Sequence, residues 1–287
     1  MRIELIKGDL VLELDPAAGG AVSRFSLGDL DILRPAPSRC GPAFDPLQYS
    51  AFPMTPFVGR IHHGVFSANG QIIELYPNLP PEPHAIHGHG WKTAWKTETQ
   101  TKDEVSLIYT HTADAWPWDY ETRQHFKLRD DGLVVRLELT NLGPTPMPAG
   151  LGWHPYFYRK NAVLTLPTTH EWCPDENSGE NVPAEISPDR NLSGGVSVES
   201  LRLDTAFRVS SPDIRVTWPT HAVTLTSDPV FKHATVFVPK GKDFFCAEPI
   251  THAPNAVNSK LPADLTGAQQ LAKGETLSGT IRLSIER

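Results

Sequence analysis

Four short segments of this 287-residue chain concentrate histidine, arginine, carboxylate and aromatic residues beside glycine and proline: Phe52–Gly64, His84–Trp95, Gly150–Phe157 and Phe244–Asn258. In Gly152-Trp153-His154-Pro155-Tyr156-Phe157, the proline biases His154 away from helix and towards extended backbone, so the side chain is expected at a strand end. Histidine exchanges protons near neutral pH, and the flanking aromatics could exclude water and stack on an apolar C–H face. The plainer reading is a half-buried histidine satisfied by a backbone carbonyl. In Phe244-Phe245-Cys246-Ala247-Glu248-Pro249 an apolar run ends in a carboxylate. Apolar neighbours would raise the pKa of Glu248 by desolvation and make it a better base. Its alternative is a strand-end glutamate in a surface salt bridge. Gly59 permits close backbone approach and Arg60 offers a rigid fork of donors, although a plain surface arginine fits as well.

His84-Ala85-Ile86-His87-Gly88-His89-Gly90-Trp91 invites a metal reading, because His87 and His89 on a strand would share one face. A metal-dependent cupin-like enzyme would want a carboxylate soon afterwards, and the first is Glu98, so no metal is expected. Of the tryptophans, those beside the histidine motifs are the candidates for ligand stacking, and the remainder are expected in the core.

These groups need a scaffold, and the chain points to short strands. Strand-like segments recur at Arg2–Ile6, Leu10–Leu14, Val105–Thr110, Tyr120–Leu128, Leu133–Asn141, Ala162–Leu166, Ala222–Ser227, Thr235–Val238 and Thr280–Ile285, with no long amphipathic helix. Asp131-Gly132 supplies turn residues for a hairpin between two of them. Proline is abundant, 27 residues against a usual share of about 5%, and proline breaks helices. The fold class is therefore all-β, a large antiparallel β-sandwich spanning residues 1–287 as a single domain. Polar, aperiodic Pro174–Gly195 reads as a long surface loop.

A net charge of −7 gives no broad cationic surface for nucleic acid. No apolar run approaches the roughly 20 residues that span a bilayer, and the N-terminus does not resemble a signal peptide. Cys40, Cys173 and Cys246 suggest neither a disulfide framework nor a metal knuckle. The expectation is a cytoplasmic protein with a small-molecule partner, no nucleic acid and no membrane.

Taken in order, the four segments resemble the aldose 1-epimerase (galactose mutarotase) family, with its arginine, histidine-glycine, His-Pro-Tyr-Phe-like and late glutamate-proline motifs. Leu203-Asp204-Thr205-Ala206-Phe207 resembles the family's sugar-binding aspartate segment, and the resemblance runs over roughly residues 5 to 285. It implies a galactose mutarotase-like supersandwich and a sugar substrate, with no cofactor. His154 would be the general acid and Glu248 the general base, while Arg60, His87 and Asp204 hold the sugar. Gly59 stands where many members have asparagine, and His89 where they have a second glycine. Both changes are expected beside the sugar hydroxyls, so no single hexose is carried over. The related alternatives are a sugar-phosphate 1-epimerase, with Arg24, Arg34 and Arg39 as candidate phosphate ligands, and a non-catalytic sugar-binding protein of the same fold.

Overall fold

Tyr120–Arg129 and Gly132–Asn141 form the expected antiparallel hairpin, but its turn is Asp130-Asp131, with Arg129 paired to Gly132. Gly132 opens the second strand, where a Cβ would lie 1.9 Å from the Leu283 carbonyl oxygen. The glycine therefore serves a close approach between strands and not the turn itself. The structure, a computed structural model, describes residues 2–37, 45–174 and 180–287; Arg39 and Cys40 lie outside them.

Two large antiparallel sheets dominate the described residues, one of eleven strands and one of nine. All nine strand segments expected from periodicity are strands. The fold is an all-β sandwich, and the one α-helix among the described residues is the four-residue Ala263–Thr266. No helix among them is long and apolar enough to cross a membrane.

Side-chain alternation explains how the layers form. Successive residues of a strand face opposite sides of its sheet. Trp153, Phe157, Phe245, Ala247, Val236 and Phe207 of the larger sheet join Val135, Leu137, Leu139, Leu225, Ile281 and Leu283 of the smaller sheet in one continuous apolar core. The intervening residues of the larger sheet face the other way. Phe52, Tyr156, Trp172, Ala206 and Cys246 form a second, smaller apolar cluster there. That outer face is the floor on which a site can be built.

Two expectations about local structure are corrected. His154 lies inside the Gly152–Tyr158 strand, not at its end, because the segment is paired on both sides, with Ala51–Met54 and Phe244–Ile250. Pro174–Gly195 is not simply a surface loop. Residues 175–179 fall outside the described residues, but Asn181–Ala184 pairs antiparallel with Thr168–Pro174 at the sheet edge. An edge strand tolerates proline and needs no apolar alternation on both faces, so Asn-Val-Pro-Ala carries little local strand signal.

Candidate active site

Strand register brings the two proposed catalytic groups together. The register that pairs Gly152 with Ile250 and Tyr156 with Cys246 sets His154 opposite Glu248 on the outer face. Their side chains meet, with His154 Nε2 3.2 Å from Glu248 Oε1. Both are buried, at 5% and 2% exposure. Neither plainer reading holds: the histidine contacts a carboxylate, and the glutamate is not at the surface. Phe52 and Tyr156 flank the His154 ring, with centroids 4.4 and 4.9 Å away.

The next strands extend the same face. Thr235 is paired with Glu248, Ala206 with Thr235, and Asp204 with Phe237. Asp204 and Ala206 therefore line up beside the pair, two residues apart on one strand. Loops complete the walls. Arg60 is held by pairing with Ile86 and by the Asn255 amide, which donates to the Arg60 carbonyl at 2.9 Å. Its guanidinium reaches Asp204 Oδ2 at 3.1 Å and Glu82 Oε2 at 3.2 Å. His87 sits at φ 58°, its amide donating to the Gly59 carbonyl at 2.9 Å. Asn78 fixes this turn by donating to the Ile86 and Gly88 carbonyls while accepting from the Ile86 amide. Gly88 is required: at φ 69° its Cβ would be 2.1 Å from the Thr55 carbonyl oxygen.

All five residues singled out from the sequence, Arg60, His87, His154, Asp204 and Glu248, line one open cleft of about 300 Å³. That is the lower end of the range for small-ligand sites. The polar atoms His87 Nδ1, His154 Nδ1 and Trp172 Nε1 are buried without a hydrogen-bond partner.

Electrostatics separate floor from rim. Burial, reinforced by the negative charge of Asp204 and partly offset by Arg60, pushes the Glu248 carboxyl well above the usual carboxylate range. Burial lowers His154 to about 3, and Arg34 adds to the effect. His87 is also driven down by burial, then by His154 and Arg60. Burial works against the Arg60 charge, but Asp204 and Glu82 outweigh it and the guanidinium is held more firmly protonated.

Several expectations about the site are revised. His87 and His89 do not share a strand face, because the strand ends at Ile86 and the chain turns through His87 and Gly88. His89 points away from the cleft, stacking on His111 at 4.5 Å and meeting the Tyr120 hydroxyl at 3.0 Å. His89 is therefore not part of the cleft lining, whereas Gly59 is. Trp91 and Trp153, beside the histidine motifs, are fully buried; Trp153 faces the inter-sheet core and Trp91 stacks behind Phe52 at 5.3 Å. The tryptophan that lines the cleft is Trp172. Asn181, Thr235 and Phe237 also line it without having been singled out. For Thr235 and Phe237 the available signal was strand spacing, since they alternate with core-facing Ala234 and Val236.

Comparison with known proteins now adds to the geometry. The family model for aldose 1-epimerase matches residues 6–284. The chain belongs to the aldose 1-epimerase family. It is 28% identical to the uncharacterized protein YphB of Escherichia coli (strain K12), over 98% of each chain. A solved Escherichia coli K12 structure shares 27% identity at a TM-score of 0.88, covering 100% of this chain and 99% of its own. A galactose mutarotase-like protein from Clostridium acetobutylicum shares the fold at 19% identity and a TM-score of 0.89, covering 100% of this chain and 95% of its own.

Proposed function

We propose that this member of the family is an aldose 1-epimerase in activity as well as ancestry, interconverting the α and β anomers of a free aldose. The observation that carries the reading is the His154–Glu248 pair, 3.2 Å apart on the cleft floor. Opening a hemiacetal removes a proton from the anomeric hydroxyl and delivers one to the ring oxygen, and both oxygens are bonded to one carbon. A base and an acid must therefore converge on a small volume, as these two groups do.

Glu248 carboxylate takes the hydroxyl proton while His154 imidazolium protonates the ring oxygen. The C1–O5 bond breaks and an aldehyde forms. Rotation about C1–C2 presents the other carbonyl face, and reversal of both transfers closes the ring as the opposite anomer. The pair holds one proton throughout: an ion pair before ring opening, a neutral pair after it. Burial favours the neutral pair, since it makes Glu248 a stronger base and His154 a stronger acid. At rest the same desolvation favours the neutral pair, so ring opening starts from the minor ion-pair form, and the energy spent in forming it is returned as the proton reaches Glu248. Arg60, His87 and Asp204 hold the sugar hydroxyls, and Tyr156 and Trp172 offer apolar faces to its C–H groups. This acid–base cycle calls for no cofactor.

The cations argue for a free sugar over a sugar phosphate. Arg24 is engaged by Asp31 at 2.9 Å. Arg34 donates to the Leu47 and Tyr49 carbonyls and lies over the Tyr156 ring. The charge of Arg60 is already matched by two carboxylates. Polarimetry on freshly dissolved α-glucose, α-galactose and other aldoses tests the proposal, comparing wild type and Glu248→Gln with the uncatalysed rate. Acceleration by wild type alone is expected, and no acceleration with any free aldose would overturn it.

A further inference from the structure

Cys246 shares a strand face with Glu248, two residues away, and is fully buried. A sulfur, nitrogen or oxygen donor atom from each of Cys246, His154 and Glu248 lies within 4.8 Å of the other two. The acid–base cycle makes no use of the thiol. We propose that this triad is a binding site for zinc and similar thiophilic divalent ions, which inhibit the enzyme by occupying its acid–base pair; the inhibitory role rests on the reading of function given above.

Thiolate, imidazole and carboxylate together are a zinc donor set. The existing 3.2 Å separation of His154 Nε2 and Glu248 Oε1 also suits one. With Zn–N and Zn–O bonds of about 2.0–2.2 Å it corresponds to an N–Zn–O angle of about 100°, near tetrahedral. Three ligands leave a fourth position, and His154 and Glu248 line the open cleft from which an ion or a hydroxyl could arrive. The donors come from two paired strands, so the backbone already holds them in register. Binding balances as one divalent ion replacing two protons, one from the Cys246 thiol and one shared by His154 and Glu248. Because both protons must leave, occupancy should weaken as pH falls. Hard, oxygen-seeking Mg2+ and Ca2+ should not compete.

Titration of the metal-free protein with Co2+ should produce a stoichiometric thiolate-to-cobalt charge-transfer band that Zn2+ abolishes and Mg2+ does not. Cys246→Ala should lack the band, turn over sugar within about twofold of wild type and need at least about 30-fold more Zn2+ for half inhibition. Cys246→Ser serves the same purpose should the alanine variant fold poorly. Absence of the band in wild type, or its survival in both variants, would overturn the site. A normal band with no accelerated mutarotation would instead leave the metal site standing and remove the reaction, so the two readings fail separately. Zinc inhibition unchanged in the cysteine variants would show that inhibition arises elsewhere.

Discussion

His154 and Glu248 occupy the interiors of two paired strands with side chains 7% and 3% exposed, whereas the Arg60 and Asp204 side chains are 36% and 47% exposed and come from a two-residue strand and a strand's first residue. The floor groups have strongly displaced pKa values; the rim groups are satisfied by ion pairs with each other and with Glu82. On the proposed reaction, the difference separates proton transfer from recognition of the sugar. Groups that move protons need fixed geometry and low dielectric, which paired central strands supply. Groups that choose hydroxyls can sit at strand ends and in short connections, where replacement disturbs little of the core.

The strongest attempt to break this division is Glu248→Gln. The amide keeps the shape but accepts no proton, so kcat should fall about 10³-fold, near 4 kcal/mol of barrier, while sugar affinity stays within about threefold. His154→Asn should lower kcat about 10²-fold in the same assay. A variant of either residue that raises only KM would move that residue from chemistry to binding.

Acid should expose the floor next. Burial lowers His89 to about 4 and His154 and His233 to about 3. Each is neutral when folded and protonated when unfolded across the window below its ordinary pKa of about 6.5. The unfolded state then binds more protons, so stability is present above pH 6.5 and is lost as pH falls towards 4 and then 3. Each histidine contributes up to about 1.4 kcal/mol per pH unit. Glu248, with its raised pKa, has the opposite sign: its contribution is present below about 4.5 and is lost as pH rises. Denaturant midpoints measured from pH 7 to 4 should fall, and His233→Leu, at a residue that is neither the proposed acid nor the proposed base, should flatten the slope. A flat wild-type profile would refute the assignment.

At the rim, Asp204→Asn should raise KM about tenfold and leave kcat within about threefold, since it removes a charged partner of Arg60 and not the base. One finer effect links rim to floor. Asp204 contributes to the raised pKa of Glu248, so the acid limb of the pH–rate profile should shift to lower pH in this variant. A loss in kcat as large as that of Glu248→Gln would erase the distinction between the regions.

The sequence exposed the floor better than the rim because the floor is made of local patterns. Alternation in Tyr120–Leu128 and Leu133–Asn141 specifies strands without tertiary information. His154 and Glu248 stand in motifs whose order resembles a family, although their meeting depends on register between segments about ninety residues apart, which periodicity alone does not give. The walls were less legible. Asn181 belongs to a short edge strand without apolar alternation, Trp172 resembles any core tryptophan, and Asn78 acts through three backbone bonds that leave no sequence pattern.

His89 supplies the smallest expected effect and the sharpest control. It stands two residues after a cleft residue, yet the positive φ at His87 and Gly88 turns it towards His111 and Tyr120 instead of the ligand. His89→Gly should therefore leave kcat/KM within about twofold for every aldose tested, and the relative ranking of sugars should not change. Its cost should appear in stability, because the Tyr120 hydroxyl loses a partner, about 1 kcal/mol, and glycine frees the unfolded chain. A changed sugar ranking would mean that this turn adopts a second arrangement in which position 89 reaches the cleft, and the boundary between structural loop and recognition loop would have to be redrawn around it.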